Sequence, residues 1–203
     1  MAIPGGTRIY SKTSMPVVPF DKGTLGCWVR LGGLPVMLSN RHVMPMRGQG
    51  VWLASPGSMQ NRSTQIVATV TNLSGTTDAA LATPTTVTRL THATKDIQGI
   101  GPYVGLGVPV TGMQVSTYGA EAGLRHGVLG NPCQHTSPSL GMTMHAMQIT
   151  FNDGYQTQFG DSGSPVVDTA TMNVVGLIVG KSSHVSKIVL MSEIVATLQI
   201  SAL

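Results

Sequence analysis

Residues 160–165 read Gly-Asp-Ser-Gly-Ser-Pro and lead into Val166 and Val167. This pattern predicts a tight turn, flanked by glycines, that runs into an apolar strand. A serine on such a turn presents its hydroxyl and several backbone N–H groups to one point. Acyl transfer needs that arrangement, because a nucleophile attacks a carbonyl while fixed donors stabilise the developing oxyanion. Ser162 is therefore the candidate nucleophile, with the N–H groups of Gly160 and Ser162 as candidate oxyanion donors.

A serine hydroxyl is a weak nucleophile near neutral pH, so it needs a base and a group that orients the base. His42 is the candidate base, because it follows an apolar run that ends in polar residues. Asp78 is the candidate orienting acid, because it follows two threonines and precedes a small apolar strand. Taken singly, these features also fit a solvated loop histidine, a turn aspartate and a plain glycine hairpin. Their order, with matching flanking sequences, favours a catalytic set.

This order resembles that of the chymotrypsin-like (trypsin-fold) serine proteases, in particular their bacterial and viral members. Residues 38–43 (Leu-Ser-Asn-Arg-His-Val) resemble the catalytic-histidine segment of that family, and residues 23–29 resemble the glycine-led strand that opens its first barrel. Residues 118–127 are similar to a hairpin of the second barrel, although Ala122 stands where the family usually has threonine. Residues 174–180 resemble the strand that walls the substrate cleft.

The resemblance implies an all-β fold of two six-stranded antiparallel β-barrels with a C-terminal helix. We expect residues 1–92 to form the first barrel, with the candidate base and acid, and residues 93–203 to form the second, with the candidate nucleophile. Residues 85–101 are the expected connection. Residues 192–203 resemble the closing helix of the family, with Ser192 as the expected N-cap and Glu193 in the first turn. The implied activity is that of a serine endopeptidase, which cleaves protein or peptide substrates through an acyl-enzyme.

The resemblance also predicts a primary specificity pocket. Six residues are expected to line it: Gln156 and Thr157 at its base, Ile178, Val179 and Gly180 on the opposite wall, and Lys181 near the rim. A preference for Lys or Arg is disfavoured, because nothing at this base would neutralise a buried cation. A small, neutral or polar side chain is expected, with an acidic one attracted by Lys181 as the weaker alternative.

Asp161 precedes the candidate nucleophile. In secreted digestive members of the family, the equivalent carboxylate pairs with an N-terminal amine that activation cleavage creates. This sequence has no Ile-Val-Gly-Gly start. We therefore expect Asp161 to be satisfied by local groups, without an activating cleavage.

The composition argues against several other classes. With 25 Gly, 12 Pro and only 10% charged residues in 203, the chain is typical of many short strands joined by turns. The net charge is +4, but Lys and Arg are scattered singly, so no nucleic-acid partner is expected. No metal or cofactor is expected either, because the remaining histidines lack the spacing of metal ligands. They are His92, His126, His135, His145 and His184.

The cysteines and the absence of targeting signals bear on the compartment. Cys27 and Cys133 are too few for a multiple-disulfide framework, and Cys27 is expected to be a small buried apolar residue. No secretory signal and no apolar run of membrane-spanning length is visible, so a cytoplasmic protein without a membrane partner is expected.

Two other functions remain open at this stage. The first is a catalytically silent module of the same fold that is used for binding, since function depends on the site and not on the scaffold. The second is a phage or virus assembly or processing protein, which the low charge and the Thr-, Ser- and Gly-rich composition permit.

Overall fold

The computed structural model describes residues 2–12, 20–54, 62–85, 92–182 and 185–203. Over these residues the protein is built almost entirely of strands, with one helix. The strands of the first half are β1 Arg8–Lys12, β2 Phe20–Thr24, β3 Cys27–Leu31, β4 Leu34–Ser39, β5 Gly50–Ala54, β6 Arg62–Leu73 and β7 Ala80–Pro84. Those that follow are β8 Asp96–Ile97, β9 Gly101–Pro102, β10 Gln114–Gly119, β11 Gly123–Ser137, β12 Met142–Phe151, β13 Pro165–Asp168, β14 Val174–Ser182, β15 Val185–Leu190 and β16 Ile200–Ala202, with helix α1 Met191–Leu198 before β16.

The first half forms an eight-stranded antiparallel sheet in the order β16-β3-β4-β7-β6-β5-β1-β2. Its β3–β4 hairpin turns at Gly32 and Gly33, which have φ values of 56° and 82°. A two-residue hairpin turn of this kind needs positive φ at both positions, which glycine adopts without strain. The hairpin sets the register of β3 against β4, and on the other side of β4 its last residue, Ser39, pairs with Ala80 at the start of β7.

The second half forms a closed barrel of six strands in the order β10-β11-β12-β15-β14-β13. The predicted hairpin at residues 118–127 is the β10–β11 hairpin, which closes at the Gly119–Gly123 pair. β12 pairs with β15 only from Ala146 to Ile149, whereas β11 and β12 stay paired out to Ser137 and Met142. Residues 134–145 therefore form a two-stranded extension of the barrel, called the ribbon below.

The predicted all-β fold with a C-terminal helix is confirmed, and the second barrel has the six strands expected. The first sheet has eight strands instead of six, in part because β16 from the C-terminal end pairs with β3. The expected connection, residues 85–101, lies partly outside the described residues. Within it, Asp96–Ile97 pairs with Gly101–Pro102 as a small separate sheet.

The two halves share one buried cluster. Cys27, Leu38 and Leu81 of the first sheet belong to the same cluster as Val167 and Leu177 of the barrel. Burial of apolar side chains is the main favourable term in folding, so the two halves stabilise each other through this common core.

Tyr103, which follows β9, forms hydrogen bonds with two segments that are far apart in the sequence. Its hydroxyl donates to the backbone oxygen of Trp28 and accepts from the N–H of Leu203 at 3.1 Å. The ring is 1% exposed, so both bonds lie out of water.

The prediction of Ser192 as the helix N-cap is wrong. Helix α1 begins at Met191, its N-cap is Leu190, and no side chain caps it. β15 runs directly into the helix, and burial of Met191, Ile194 and Leu198 holds the helix in place without a polar cap. Glu193 does lie in the first turn, as predicted.

The helix also ends earlier than the resemblance implies. Gln199 has a φ of 53°, in the left-handed region that commonly ends helices. The next three residues form β16, whose first residue, Ile200, pairs with Leu31 of β3. No helix within the described residues is long and apolar enough to cross a membrane.

Cys27 is 1% exposed, as expected of a small buried apolar residue, and burial raises the pKa of its thiol to about 12. Because the thiolate is the reactive form, roughly one Cys27 in 10⁴ would be reactive at pH 8. We expect iodoacetamide to label only the half-buried Cys133 in the native protein, and both cysteines after unfolding. Mass spectrometry of the labelled chain measures this. Native Cys133→Ser should stay unlabelled, and rapid labelling of that variant would contradict the prediction.

Candidate active site

His42 and Asp78 lie side by side because they follow and precede neighbouring strands. His42 is in the turn after β4, and Asp78 comes two residues before β7. The Nδ1 atom of His42 lies 2.5 Å from Oδ2 of Asp78, and the backbone N–H of His42 donates to Oδ1 at 2.9 Å. Asp78 is fully buried. Both carboxylate oxygens are thus used to hold one histidine, which fixes the orientation of its ring.

The loop that carries Asp78 is held from both sides. The Asn40 side-chain amide donates to the backbone oxygen of Asp78 at 2.8 Å, and Arg41 donates to the backbone oxygen of Ser74 at 2.7 Å. The Ser74 hydroxyl accepts the N–H of Thr77 at 2.9 Å. Ser74 therefore stabilises the turn, which leaves the carboxylate of Asp78 for His42.

The turn that carries Ser162 is organised around the buried carboxylate of Asp161. Its Oδ1 accepts the N–H groups of Glu121 and Ala122 at 3.2 and 2.9 Å. Its Oδ2 accepts the hydroxyl of Tyr155 at 2.6 Å and the N–H of Gln158 at 2.9 Å. Hydrogen bonds to an ionised carboxylate are among the stronger ones in proteins. The expectation that local groups satisfy Asp161 is confirmed.

Two glycines give the turn its shape. Gly160 has a φ of 112° and Gly163 a φ of 92°, values that residues with a side chain rarely adopt. Within the described part of the chain, the N–H groups of Gly160 and Ser162 donate to no backbone oxygen.

Gly160 is also fixed from outside the turn by a charged cluster. A Cβ atom placed on Gly160 would lie 2.9 Å from Oε1 of Glu121, so the two residues are in close contact. Glu121 in turn pairs with Arg8 at 3.1 Å and with Lys22 at 2.8 Å. Cations from the first sheet thus hold an acidic residue of the barrel against the turn.

The Ser162 turn rests directly on the first sheet at Thr24. The Thr24 N–H donates to the backbone oxygen of Ser162 at 2.8 Å, and its hydroxyl donates to the backbone oxygen of Gly160 at 2.8 Å. A Cβ atom placed on Gly23 would lie 2.5 Å from Cγ2 of Val43 and 2.9 Å from the oxygen of Ser162. The residue after His42 and the candidate nucleophile thus both contact the face of Gly23 on which a side chain would stand.

Two residues of the predicted pocket, Thr157 and Gly180, contact each other. The Thr157 hydroxyl donates to the backbone oxygen of Gly180 at 3.3 Å, and its N–H donates to the hydroxyl of Ser186 at 3.1 Å. Gln156, beside Thr157, is half-buried. The predicted base of the pocket and its opposite wall therefore lie within hydrogen-bonding distance.

The side chains of Ile178 and Val179, predicted to line the pocket wall, are buried in the core. Ile178 is 1% exposed in the core of the barrel, and Val179 is 4% exposed in the core that both halves share. Only their backbone is left to face a cleft. Lys181 is exposed, as its predicted place near the rim requires.

Sequence reasoning assigned no role to His135, which the structure brings close to the candidate site. It lies in the ribbon and is 8% exposed, with its Cε1 atom 3.5 Å from where a Cβ of Gly180 would stand. Burial lowers the pKa of His135, the charge of Lys187 lowers it further, and Asp78 acts in the opposite direction. Residues 134–137 of its own strand are all polar, so no apolar periodicity there marked its inward-facing side, although Met142 and Met144 opposite lie on the same face.

No family model and no curated protein matches the chain, but solved structures do. Thermobifida fusca protease A matches with a TM-score of 0.71 at 17% identity, over 100% of this chain and 99% of that one. The chain has the chymotrypsin-like serine protease fold. A Cellulomonas bogoriensis chymotrypsin matches with a TM-score of 0.71 at 14% identity, over 100% of this chain and 99% of that chain.

A glutamic acid specific serine protease, described as using a histidine triad in substrate binding, has the same chymotrypsin-like fold. It matches with a TM-score of 0.73 at 14% identity, over 99% of this chain and 100% of that chain.

Tyr155→Phe tests the role of Asp161 in holding the turn of this chymotrypsin-like fold. The variant loses the hydrogen bond to Oδ2, and we expect the free energy of unfolding to fall by roughly 1.5–3 kcal/mol, as for other bonds to charged groups. Urea denaturation measures the change. Tyr118→Phe is the matched control, because within the described residues the Tyr118 hydroxyl makes no hydrogen bond. Equal losses for the two variants would contradict the prediction.

Proposed function

We propose that the protein is a serine endopeptidase in which Ser162 is the nucleophile, His42 the general base and Asp78 the group that orients the base. The observation that carries this proposal is the meeting of two preorganised parts at Gly23 and Thr24. One is the buried His42–Asp78 pair of the first sheet, and the other is the glycine turn of the barrel with Ser162. A carboxylate that uses both of its oxygens to hold one histidine is explained by a nucleophile on the facing turn, which needs an oriented base.

The contacts of Asp78 support one proton path. When Asp78 accepts the Nδ1 proton of His42, the proton-free nitrogen of the neutral ring is Nε2. Nε2 then takes the proton of the Ser162 hydroxyl as its oxygen attacks the peptide carbonyl, and later gives that proton to the leaving amine. Because Asp78 is out of water, its charge is little screened and stabilises the imidazolium that forms between these steps.

The turn supplies the second requirement, stabilisation of the oxyanion. The N–H groups of Gly160 and Ser162 would donate to the carbonyl oxygen as it becomes negative. The hydrogen bonds of Thr24 to this turn and the four bonds to Asp161 fix these donors before substrate binds. Water then attacks the acyl-enzyme by the reverse proton route, which releases the acid product and restores the hydroxyl of Ser162.

The proposed substrate is a protein or peptide, as for the proteases that share the fold. Because Thr157 lies against Gly180 of β14, we expect the substrate side chain beside this strand, small, neutral or polar, with an acidic one attracted by exposed Lys181 as the alternative. The glutamic acid specific protease among the structures of similar fold is consistent with that alternative.

Labelling with a fluorophosphonate probe tests the nucleophile. The probe should modify the wild-type protein at Ser162, and both Ser162→Ala and His42→Ala should remove labelling, because one lacks the hydroxyl and the other its base. Mass spectrometry of the labelled peptide identifies the site. A wild-type protein that is folded by circular dichroism and remains unlabelled would contradict the proposal and favour a silent binding module of the same fold.

Asp78→Asn tests the orienting role of the carboxylate. The amide cannot hold the same tautomer of His42, and we expect kcat/KM for a cleaved peptide to fall by about 10⁴, the loss found for this substitution in the type enzyme of the fold. Steady-state hydrolysis of a fluorogenic peptide measures it. Asp96→Asn is the matched control, because Asp96 is exposed and its carboxylate bonds, within the described residues, only to the hydroxyl of Thr94. Equal rates for Asp78→Asn and the wild type would reassign the orienting group.

A further inference from the structure

His135 is a largely buried residue, but its ring nitrogens are not among the fully buried unpartnered atoms of the described part of the chain. It is 8% exposed, and its ring makes no hydrogen bond to any residue that the structure describes. Because neither ring nitrogen is hydrogen-bonded within the described residues and neither is fully buried, a binding partner can reach them and form a hydrogen bond. The surroundings of the ring therefore indicate what such a partner would be.

The ribbon directs His135 toward the candidate site. His135 pairs across the ribbon with Met144, and residues directly opposite in an antiparallel pair share one face. Met144 is buried in the same cluster as Ala79 and Val179. His135 itself lies beside Gly180 of β14 and within electrostatic range of Asp78 and His42, so it faces the region between the His42–Asp78 pair and β14.

Gly180 leaves space beside the ring. With no side chain at this position, the edge of the imidazole is open, since a Cβ there would lie 3.5 Å from Cε1 and 4.0 Å from Nε2 of His135. The backbone oxygen of Gly180 is held by Thr157, so the wall opposite the ring is fixed. A side chain that enters along Gly180 would therefore meet the ring before it meets apolar core.

The charges around His135 indicate the chemistry of that side chain. Burial and the cation of Lys187 both lower the pKa of His135 and favour the neutral ring, while His42 acts in the same direction and Asp78 against it. A neutral imidazole offers one N–H donor and one acceptor nitrogen. The amino group of Lys187 donates to the backbone oxygen of Gln134 at 2.8 Å, so its positive charge is held next to the ribbon and disfavours a cationic ligand.

We propose that His135 is a specificity-determining residue, which donates a hydrogen bond to the carboxamide or carboxylate oxygen of a substrate side chain lying beside Gly180. This inference rests on the proposed peptidase function. Glutamine and glutamate share the acceptor oxygen that the ring N–H requires. Glutamine and glutamate differ in charge, so the ratio of their cleavage rates reports whether the positive charge of Lys187 contributes to substrate binding.

The test uses peptide substrates in which each position around the scissile bond is fixed in turn as Gln, Glu, Met or Lys. Met matches Gln in length but lacks the acceptor oxygen. At one position we expect the wild-type protein to cleave the Gln or Glu peptide with a kcat/KM on the order of 10²-fold above that of the Met peptide, the discrimination that one buried hydrogen bond provides. Lys at that position should be the poorest substrate.

His135→Leu removes the hydrogen bond by replacing the imidazole with an apolar side chain of comparable size. We expect it to bring the Gln and Glu rates down to the Met rate, with the Met rate itself changed by less than about threefold, as for an interaction that only the polar side chain makes. His135→Gln, which keeps an N–H donor, should retain part of the preference. His135→Met serves the same purpose if the leucine variant does not fold.

His145→Leu is the matched control on the same ribbon. His145 is exposed, with its Nδ1 2.8 Å from Oε1 of Glu193, and it lies on the opposite face from His135. This variant should leave the Gln, Glu and Met rates in their wild-type ratio.

The outcomes separate this inference from the proposed function. If the wild-type protein reacts with the fluorophosphonate and cleaves peptides without preferring Gln or Glu to Met at any position, the role of His135 is overturned and the peptidase assignment stands. The same holds if His135→Leu lowers all rates by one factor. If the folded wild-type protein neither labels nor cleaves, the peptidase assignment is overturned as well.

Discussion

The backbone contact at Thr24 is the constraint on which the arrangement of this protein depends. Its N–H and hydroxyl both bond to the turn of the barrel, and its carbonyl oxygen accepts the hydroxyl of Ser39 at 2.7 Å. A side chain at Gly163 would collide with that carbonyl oxygen and with Ser39. The halves can approach this closely only because glycines stand where they touch. The distance between the His42 turn and the Ser162 turn is thereby set by main-chain atoms, which adapt less than side chains do.

Two buried carboxylates act on the two sides of this contact in different ways. Asp161 is surrounded by four donors, and its charge serves to hold the shape of a turn. Asp78 uses its oxygens on the ring and the N–H of one residue, His42, so its charge remains directed at a group that can change protonation. A buried charge is costly unless it is paired or hydrogen-bonded, and both carboxylates meet that condition.

Short local patterns were enough to name the candidate site, and the structure pairs two of its residues, His42 and Asp78. Ser162 is recognisable because its turn needs glycines within a few residues, and the segment around His42 combines an apolar strand end with polar residues. The start of helix α1 was mispredicted at Ser192, because a cap preference worth about 1 kcal/mol yields to burial of the apolar helix face against the core. His135 could not be found from local sequence at all. Its position depends on the pairing of two long strands and on a glycine 45 residues away in the chain, between positions 135 and 180.

The pairing of β16 with β3 has a consequence for how the molecule is made. Leu31 meets its partner Ile200 only after the intervening residues have been synthesised, so the N-terminal sheet cannot acquire its last strand early in translation. Chain segments generally fold in the order in which they emerge from the ribosome, and contacts between positions far apart in sequence form slowly. The nascent N-terminal half would therefore leave an open β3 edge until the barrel and helix α1 have emerged. The order of strands in the first sheet thus determines when that sheet can be completed.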